Sequence, residues 1–384
     1  MTKKICVVVT ARPSYSRIKS ALRAIVDHPS LELQLVVAAS ALLDRYGGAV
    51  RDIEQDGFDI SARVYMVVEG GNLVTSAKST GLGLVELATA LDNLKPDAVV
   101  TVADRYETLA TAVAASYMNI PVVHVQGGEN TGSIDDKVRH AVTKLSNLHL
   151  VSTSRAAKRV MQLGEDPTTV VVTGCPSIDL AAGILEHPDL DFDPFSKYGG
   201  VGDSVDLSEG YIVVMQHPVT TEYEESRRQI VETLHAVREL DLPTLLFWPN
   251  VDAGSDGTSK GIRLFREHEH PAQFHWFRNM VPEDFLRLLH NCSCLVGNSS
   301  VGIRECSFLG VPAVNIGNRQ RGRERGSNVI DVDHSRDAIG RAVQQHLTQG
   351  RAKRNTLYGD GSAGVRIADE LARRELEIEK RLTY

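Results

Sequence analysis

Short apolar strands alternate with helical segments along the whole chain, and this alternation limits the possible folds more than any other feature. In the first half, six apolar segments are typical of strands: KICVVVT, LELQLVVAAS, DAVVTVAD, IPVVHVQ, LHLVSTS and TVVVTG. Helical patterns lie between them, such as SRIKSALRAIVDH, GLVELATALDNL and RYETLATAVAASYM. Because the strands are almost continuous runs of Val, Ile and Leu, the pattern predicts an α/β fold with a parallel sheet between two layers of helices.

The same rhythm restarts in the second half with GYIVVMQHP, LPTLLFWPN, CSCLVGNSS and VPAVNIG. The stretch between the halves is rich in Gly, Pro and Asp, and its apolar residues show neither the spacing of a helix nor that of a strand. A weak internal resemblance, AASYMNIPVVHVQGG against ECSFLGVPAVNIGN, supports two similar halves. For a chain of 384 residues we predict Rossmann-like domains at 1–182 and 210–360, a linker at 183–209 and a C-terminal helix at 361–384 that packs against a domain.

Composition and charge exclude several classes of function. The chain is 42% hydrophobic and 24% charged, with a net charge of −7 at pH 7, which fits a globular protein and argues against nucleic acid as a partner. The apolar run Ile5–Val9 is too short for a signal sequence or a membrane span, so we predict a cytoplasmic protein without membrane contact. Five cysteines without a Cys-x-x-Cys pair indicate buried free thiols, and we predict no metal site.

The chemically suggestive stretches follow predicted strands, at the sheet edge where α/β folds of this kind bind ligands. In TARPSYS, Arg12 and Ser16 lie near the start of a helix, where a guanidinium and free backbone N–H groups could hold a phosphate. An ordinary helix start with a solvated arginine is the alternative. Because the stretch lacks G-x-G-x-x-G, a nicotinamide enzyme is disfavoured, and we predict no cofactor.

Asp104 in VADRYET ends a predicted strand, and Glu107 stands three residues further on. This is the spacing of a capping box, which is a sufficient structural explanation for both residues. An aspartate at the ligand-binding edge can also transfer protons. Both interpretations stay open.

The stretch HVQGGENTGSIDD combines two glycines with three carboxylates. The glycines favour a backbone with positive φ that could pass close to a ligand. Ser133 is a candidate helix N-cap with Asp136 as its capping partner, which leaves Asp135 to point elsewhere. Carboxylates gathered at one site raise one another's pKa, as acid–base chemistry near neutral pH requires.

In the second half, His217 ends the strand of MQHPVTTE and is either a core histidine or a phosphate-contacting or acidic group. Ser299 and Ser300 in GNSSVGIRE open a helix, which suits a diphosphate, and Glu305 could accept hydrogen bonds from ribose hydroxyls. The alternative for the serines is an N-cap. The loop RQRGRERG is either salt-bridged or a clamp on a diphosphate, and it carries Arg319, Arg321, Arg323 and Arg325.

Together these residues suggest an enzyme that acts on a nucleotide-diphosphate compound in a cleft. The first domain would supply carboxylates, and the second would supply most of the groups that hold the anion.

At the level of motifs, nearly the whole chain resembles the UDP-N-acetylglucosamine 2-epimerases, and most closely their hydrolysing branch, which makes N-acetylmannosamine for sialic-acid-type sugars. The resemblance is carried by DRYETLATAVAASYMNIPVVHVQGGENTGSIDDKVRHAVTKL, TGCPSIDL, QHPVTTE, PNVDAGSDG, GNSSVGIRE, NRQRGRERGSN and YGDGSAGVRI. It implies a glycosyltransferase-B-type arrangement with a cleft between two Rossmann-like domains and a C-terminal helix that crosses back to the first domain. It also implies a homodimer or a dimer of dimers, with a UDP-sugar as substrate.

The family's reaction eliminates the nucleotide diphosphate and the C2 proton to give a 2-acetamidoglycal, and water then adds with the opposite C2 configuration. By resemblance, Asp104 and Asp135 match the catalytic aspartates, and Glu305 matches the ribose-binding glutamate. We expect Ser300, Arg12 and His217 to stabilise the departing diphosphate. Substrate-binding roles are also expected for Ser16, Arg105, Gln126, Asn250, Ser299 and Arg319.

Gln126 departs from the family, which has a catalytic carboxylate at this position. Glutamine cannot exchange protons, so either Glu129 supplies the carboxylate or the substrate differs, for example a 2,4-diacetamido-trideoxy hexose on UDP or GDP. The alternatives are a non-hydrolysing epimerase that returns UDP-N-acetylmannosamine, a glycosyltransferase on the same fold, and a non-catalytic nucleotide-sugar sensor.

Overall fold

The structure, a computed structural model, describes residues 2–44, 48–70, 72–131, 134–249 and 254–383. Its contacts divide the chain into two compact units, and the second unit is formed by 180–357 with Asn130 and Thr131. The first unit is formed by 2–129, 134–179 and 358–383. Each unit contains one parallel sheet and its own helices, which confirms the predicted α/β class. Over the described ranges, every helix is too short or too polar to cross a bilayer.

Seven parallel strands form the first sheet, in the spatial order β3-β2-β1-β4-β5-β6-β7. They are β1 (Lys3–Val9), β2 (Leu31–Ala38), β3 (Ile60–Val64), β4 (Ala98–Val102), β5 (Val122–Val125), β6 (Leu148–Val151) and β7 (Val170–Val172). The strand order reverses between β1 and β4. In an open parallel sheet, ligands bind beyond the carboxyl ends of the strands at such a reversal.

Six parallel strands form the second sheet, in the order β10-β9-β8-β11-β12-β13. They are β8 (Ile212–Met215), β9 (Thr244–Phe247), β10 (Phe274–Phe277), β11 (Cys294–Gly297), β12 (Ala313–Ile316) and β13 (Val329–Val332). If the strands of each unit are numbered from one along the chain, both sheets have the order 3-2-1-4-5-6, and the first sheet has β7 in addition. The two segments joined by the internal resemblance end in β5 and β12, which are the fifth strand of each unit.

The helices connect successive strands, as expected for parallel sheets. They are α1 (Arg12–Ser16), α2 (Lys19–Asp27), α3 (Ala49–Gln55), α4 (Leu73–Leu94), α5 (Tyr106–Tyr117), α6 (Ile134–Leu145), α7 (Ser154–Gln162), α8 (Pro176–Ile184), α9 (Pro194–Tyr198), α10 (Ser226–Arg238), α11 (Ser255–Glu269), α12 (Pro282–Asn291), α13 (Glu305–Leu309), α14 (Arg336–Gln349) and α15 (Ala363–Arg373). The segment 183–209, predicted as a linker, lies in the second unit and contains α9.

Strand β1 shows why the apolar runs are continuous. Ile5 and Val7 pack on one face of the sheet together with Leu22 of α2, while Cys6 and Val8 pack on the other face with Leu87 of α4. Successive side chains of a strand point to opposite faces, so a strand covered by helices on both sides must be apolar throughout.

Helix α15 returns the chain to the first unit. Ile367 and Leu371 are fully buried in the core shared with β1 and α2, and each such burial stabilises the fold by about 1.5–3 kcal/mol. The carboxylate of Asp179, in α8, accepts hydrogen bonds from the backbone N–H groups of Ala363 (2.9 Å) and Gly364 (2.6 Å) and thus caps α15. The helix ends at Arg373, so it is shorter than the predicted 361–384.

Candidate active site

The carboxyl ends of β1, β4 and β5 are neighbours at one edge of the first sheet, because β4 pairs with both other strands. The loops that follow these strands carry most of the predicted first-domain residues, including Asp104, Gln126 and Glu129. Sequence spacing alone separates these residues widely. The parallel pairing brings their backbones to one place.

Asp104 is not the cap of α5, so the predicted capping box is wrong. The helix begins at Tyr106 with Arg105 as its N-cap residue, and the side chain of Arg105 makes no cap hydrogen bond. Ala103 has a left-handed backbone with φ of 67°, which turns the chain before Asp104. The Asp104 carboxylate instead contacts the Nη2 group of Arg139 on α6, while Glu107 pairs with Arg105 at 3.2 Å.

Arg139 joins three segments of the first unit. It is 1% exposed, its Nη2 contacts Asp104, and its Nη1 donates to the backbone carbonyl of Glu129 at 2.7 Å and also contacts Asp136. Burial by itself would lower the pKa of Arg139, but the negative charges of Asp104, Glu129 and Asp136 raise it above its ordinary value. The guanidinium is therefore cationic and fixes the carboxylates around it.

His124, on β5, supports the same turn. Its Nε2 lies 2.8 Å from the carbonyl of Ala103, and its Nδ1 lies 3.2 Å from the hydroxyl of Thr143. A carbonyl only accepts, so Nε2 carries the proton and the Thr143 hydroxyl donates to Nδ1. Burial lowers the pKa of His124 to about 3, so the ring is neutral and structural at ordinary pH.

Gln126 directly follows β5 and is buried, with a left-handed backbone at φ of 68°. Its Nε2 donates to the thiol of Cys175 at 3.0 Å, and that thiol lies 3.0 Å from the hydroxyl of Ser177. This position thus holds a neutral amide that donates to a thiol. All five cysteines are buried and none forms a disulfide, as predicted.

The two glycines of the loop are packed tightly against other parts of the protein, and the prediction that they let the backbone approach a ligand stays a prediction. A Cβ on Gly127 would lie 2.9 Å from Nδ1 of His124. Gly128 has a φ of 73°, and a Cβ there would lie 2.2 Å from the carbonyl oxygen of Ala156. No side chain fits at either position without a shift of the neighbouring segment.

Glu129 and Asp136 belong to the cluster around Arg139, while Asp135 is half-buried in the first turn of α6. Ser133, the predicted N-cap of that helix, lies outside the described residues. The carboxylate of Asp136 contacts Arg139 three positions further along α6. The structure therefore brings Asp104, Glu129 and Asp136 together through one cation.

Arg12 begins α1 directly after β1, and Ser16 ends that five-residue helix rather than beginning one. The hydroxyl of Ser16 donates to the carbonyl of Pro13 at 3.1 Å. Burial lowers the pKa of Arg12, and the charge of Asp52 partly offsets this effect. Arg12 thus stands at the strand end as predicted and is half-buried there.

In the second unit, Asn298 organises the ends of β8 and β11. Its side-chain oxygen accepts from the backbone N–H of His217 at 2.8 Å, and its side-chain nitrogen donates to the carbonyl of His217, also at 2.8 Å. Gly297 precedes it with a φ of 143°, and a Cβ there would lie 2.2 Å from the carbonyl of Met215. This paired amide fixes the backbone of His217, which is itself buried.

The segment after Asn298 forms a short 3-10 turn, Ser300–Gly302, before α13. Ser299 is the N-cap of this turn and accepts from the N–H of Val301 at 3.4 Å, so the capping alternative holds for that serine. Glu305 is 6% exposed at the start of α13, and its Oε2 is buried without a hydrogen-bond partner among the described residues. A buried acceptor of this kind is costly unless a ligand or water donates to it.

The arginine loop divides into different roles. Arg319 donates to the carbonyl of Asn298 at 3.2 Å, and Gln320 donates to the same carbonyl at 2.9 Å. Arg323 is buried and donates to Gln320, whereas Arg325 pairs with Asp331 at 2.6 Å. Arg325 is thus salt-bridged, and Arg319 stands beside the β11 strand end. Asn250 lies outside the described residues.

Three residues of the site were not predicted from the sequence, and they share one property. They contact strand ends that are distant from them in sequence, and they are Arg139, His124 and Asn298. The signal for Arg139 was a charged residue on the buried side of an amphipathic helix, and for Asn298 it was an amide beside two serines directly after a strand. The first unit can exchange protons at its carboxylates, and the second can hold an anion and hydroxyl groups.

Residues 23–372 match the family model described as UDP-N-acetylglucosamine 2-epimerase. The chain is 31% identical over 366 residues to the UDP-N,N'-diacetylbacillosamine 2-epimerase (hydrolyzing) of Legionella pneumophila, covering 95% of this chain and 94% of that protein. It is 34% identical over 347 residues to the polysialic acid biosynthesis protein P7 of Escherichia coli, covering 89% and 85%.

The fold is also that of a solved structure. The crystal structure of UDP-GlcNAc 2-epimerase from Neisseria meningitidis bound to UDP-GlcNAc matches with a TM-score of 0.79 at 17% identity, covering 97% of this chain and 100% of that one. At this identity the likeness supports the fold, with two Rossmann-like domains. The arrangement around a cleft stays a prediction.

Proposed function

Because this chain belongs to the UDP-N-acetylglucosamine 2-epimerase family, we propose that it is a hydrolysing 2-epimerase, which converts a UDP-activated 2-acetamido sugar and water into UDP and the free C2-epimeric sugar. The observation that carries the proposal is the carboxylate cluster of Asp104 and Glu129 around the buried Arg139, directly after β4 and β5. The GGE…TGSIDD…RHA block supports the hydrolysing branch, and so does the similarity to the Legionella pneumophila relative, which is a hydrolysing 2-epimerase by name.

The proposed reaction begins with cleavage of the bond between C1 of the sugar and the diphosphate oxygen. A C2 proton without an adjacent carbonyl is weakly acidic, so stabilisation of the departing UDP has to supply much of the rate enhancement. We assign this stabilisation to Arg12, His217 and Ser300. A carboxylate then takes the C2 proton, and the product is a 2-acetamidoglycal.

Water completes the cycle by adding across the double bond of the glycal. The hydroxyl group of the water goes to C1. A proton goes to C2 on the face opposite to the one from which the first C2 proton was taken, which gives the free epimeric sugar. Two proton-transfer groups are required, one for each face of C2. We assign these two roles among three carboxylates, which are Asp104, Glu129 and Asp135, the match to the family's second aspartate.

Glu129 replaces the carboxylate that the family has at Gln126. The side chain of Gln126 is a neutral amide that donates a hydrogen bond to Cys175, and an amide exchanges no proton with the substrate. Glu129 is 4% exposed, and its charge contributes to the raised pKa of Arg139, which places it in the carboxylate cluster. A carboxylate in that cluster, three residues along the loop, preserves the chemistry.

The second unit holds the nucleotide in this proposal. Glu305 has a buried oxygen ready to accept from ribose hydroxyls, and Arg319 with the Ser299–Ser300 segment contacts the diphosphate. The name of the relative from Legionella pneumophila favours UDP-N,N'-diacetylbacillosamine as a second candidate substrate beside UDP-N-acetylglucosamine.

NMR of the purified protein with each nucleotide sugar in D2O tests the proposal. We expect free UDP and a free sugar with deuterium at C2, and the substrate with the larger kcat/KM is the one the enzyme uses. An intact epimerised nucleotide sugar would establish the non-hydrolysing reaction instead. Absence of C2 exchange would refute the epimerase assignment, and would favour a sensor if UDP still bound tightly.

The same NMR assay tests the role of Glu129. Glu129→Gln is expected to abolish C2 exchange, because it removes a proton-transfer group. Glu165→Gln, which changes a buried, ion-paired carboxylate elsewhere in the first unit, is the matched control and should retain exchange. Full C2 exchange in Glu129→Gln would exclude Glu129 as a proton carrier.

A further inference from the structure

We propose that Arg139 is a positioning residue that holds Asp104 as a carboxylate throughout the reaction, so that Asp104 serves as a base or a fixed negative charge and never as the acid. This inference rests on the proposed function, in which two proton-transfer groups have distinct roles. It assigns the acid role to a carboxyl group other than Asp104.

The first argument is the geometry of the contact. Arg139 is 1% exposed, and its Nη2 faces the Oδ2 of Asp104, whose side chain is 10% exposed. Its Nη1 faces the Oδ1 of Asp136 and the carbonyl oxygen of Glu129, the latter at 2.7 Å. An opposite charge in direct contact favours the ionised form of a carboxyl group, and a guanidinium as buried as Arg139 is screened little by water.

The second argument is the charge of the described groups around Asp104. Helix α6 presents Arg139 and Asp136, the loop after β5 presents Glu129, and β5 presents the neutral ring of His124. Arg105, the residue before α5, pairs with Glu107 at 3.2 Å. Among the described contacts, Arg139 brings a buried positive charge directly to the carboxylate of Asp104.

The third argument is the choice of arginine. A guanidinium offers several N–H donors in a fixed fork, so one side chain can hold Asp104 and the loop carbonyl of Glu129 in a set relation. A lysine would keep the charge but not this geometry. Arg139 thus couples the charge of Asp104 to the position of the loop that carries Glu129.

Direct titration of Asp104 tests the inference without relying on activity. The 13C carboxyl signal of Asp104 is assigned in aspartate-labelled protein by its loss in Asp104→Asn. In the wild-type protein we expect this carboxyl to stay ionised down to at least pH 5. In Arg139→Gln the titration should move up by about 1 pH unit or more, since an opposite charge within 4–6 Å shifts a carboxyl by roughly 1–3 units.

Kinetics give the second readout. Arg139→Gln should lower kcat by about 100-fold, and the acid limb of its kcat profile should move to higher pH. Arg139→Lys keeps the charge, so it should leave the acid limb near its wild-type position while kcat stays reduced. A purely structural role would lower the amount of folded protein without moving the acid limb.

Glu165→Gln is the matched control, because Glu165 is a buried, ion-paired carboxylate elsewhere in the first unit. It should lower Tm and leave the acid limb unchanged. A wild-type Asp104 signal that titrates above pH 5, or an unchanged titration in Arg139→Gln, would overturn the inference. Lack of nucleotide-sugar turnover by the wild type would refute the proposed function instead, and the titration would still decide the state of Asp104.

Discussion

At the carboxyl edge of the first sheet, carboxylates surround one buried guanidinium, whereas the same edge of the second sheet carries serine hydroxyls, a histidine and a paired amide. The fourth strand of each unit is followed closely by the residue that organises its edge, Asp104 after β4 and Asn298 after β11. The carboxylate of Asp104 contacts the guanidinium of Arg139 on α6, whereas the side chain of Asn298 is hydrogen-bonded to backbone groups of His217. One strand order thus provides the same place twice, with an ion pair at that place in the first unit and an amide bound to the backbone in the second.

The largest effect is expected from a substitution at the carboxyl edge of the first sheet. Asp104→Asn should lower kcat by about 1,000-fold, because the amide cannot take a proton and does not neutralise Arg139. Affinity for UDP, measured by calorimetry, should change less than about threefold, because we assign UDP binding to the second unit. Unchanged turnover in a folded Asp104→Asn variant would remove Asp104 from the mechanism.

A smaller effect is expected at the second edge. Glu305→Gln should weaken UDP binding by about tenfold, since hydrogen bonds to a charged acceptor are roughly twice as strong as those to a neutral one. Inorganic diphosphate, which has no ribose, is the matched ligand and should bind both proteins equally. If 2′,3′-dideoxy-UDP lost as much affinity as UDP in the variant, Glu305 would not be the ribose contact.

The smallest effect on turnover is expected from Glu165→Gln, which lies at neither edge. Burial would raise the pKa of Glu165, but hydrogen bonds from His149, Lys144 and Lys380 lower it to about 2. Because the folded pKa lies below the unfolded value of about 4.3, this carboxylate stabilises the fold above pH 4.3 and loses that effect as pH falls toward 2.

In Glu165→Gln we therefore expect kcat within about twofold of wild type, and a loss of up to about 3 kcal/mol in unfolding free energy at pH 7. The difference in Tm from wild type should shrink as the pH is lowered from about 5 to 2. A difference that is constant with pH would show that the charge of Glu165 does not stabilise the fold.

Much of the fold follows from local patterns, and the exceptions have physical causes. The continuous apolar runs of β1, β4 and β5 predict buried parallel strands, and these are present. Strand β10 is the four-residue segment FHWF, and β13 is VIDV with a charged residue inside it. Both have polar residues on either side and lack the longer apolar run that marks β5 and β12, which are also four residues long, so their strand pairing is set by the neighbouring strands.

The site is less accessible to sequence reasoning because its contacts are long-range. Asp104 has the spacing of a capping box, but the left-handed backbone of Ala103 and the charge of Arg139, 35 residues away, direct its carboxylate elsewhere. The glycines after β5 predict a positive φ, which Gly128 has, but His124 and Ala156 fill the space beside them. Residue type predicted where the chemistry lies, and tertiary contacts decided which groups meet.

The return of α15 to the first unit has a consequence for how the protein is made. Ile367 and Leu371 complete the core that contains β1, and Asp179 caps the helix that carries them. A ribosome synthesises 180–357 before it reaches these residues, so the second unit is complete while the first still lacks α15. Domains usually fold in the order in which they are synthesised. Here the part of the chain made first is the last to acquire its full core.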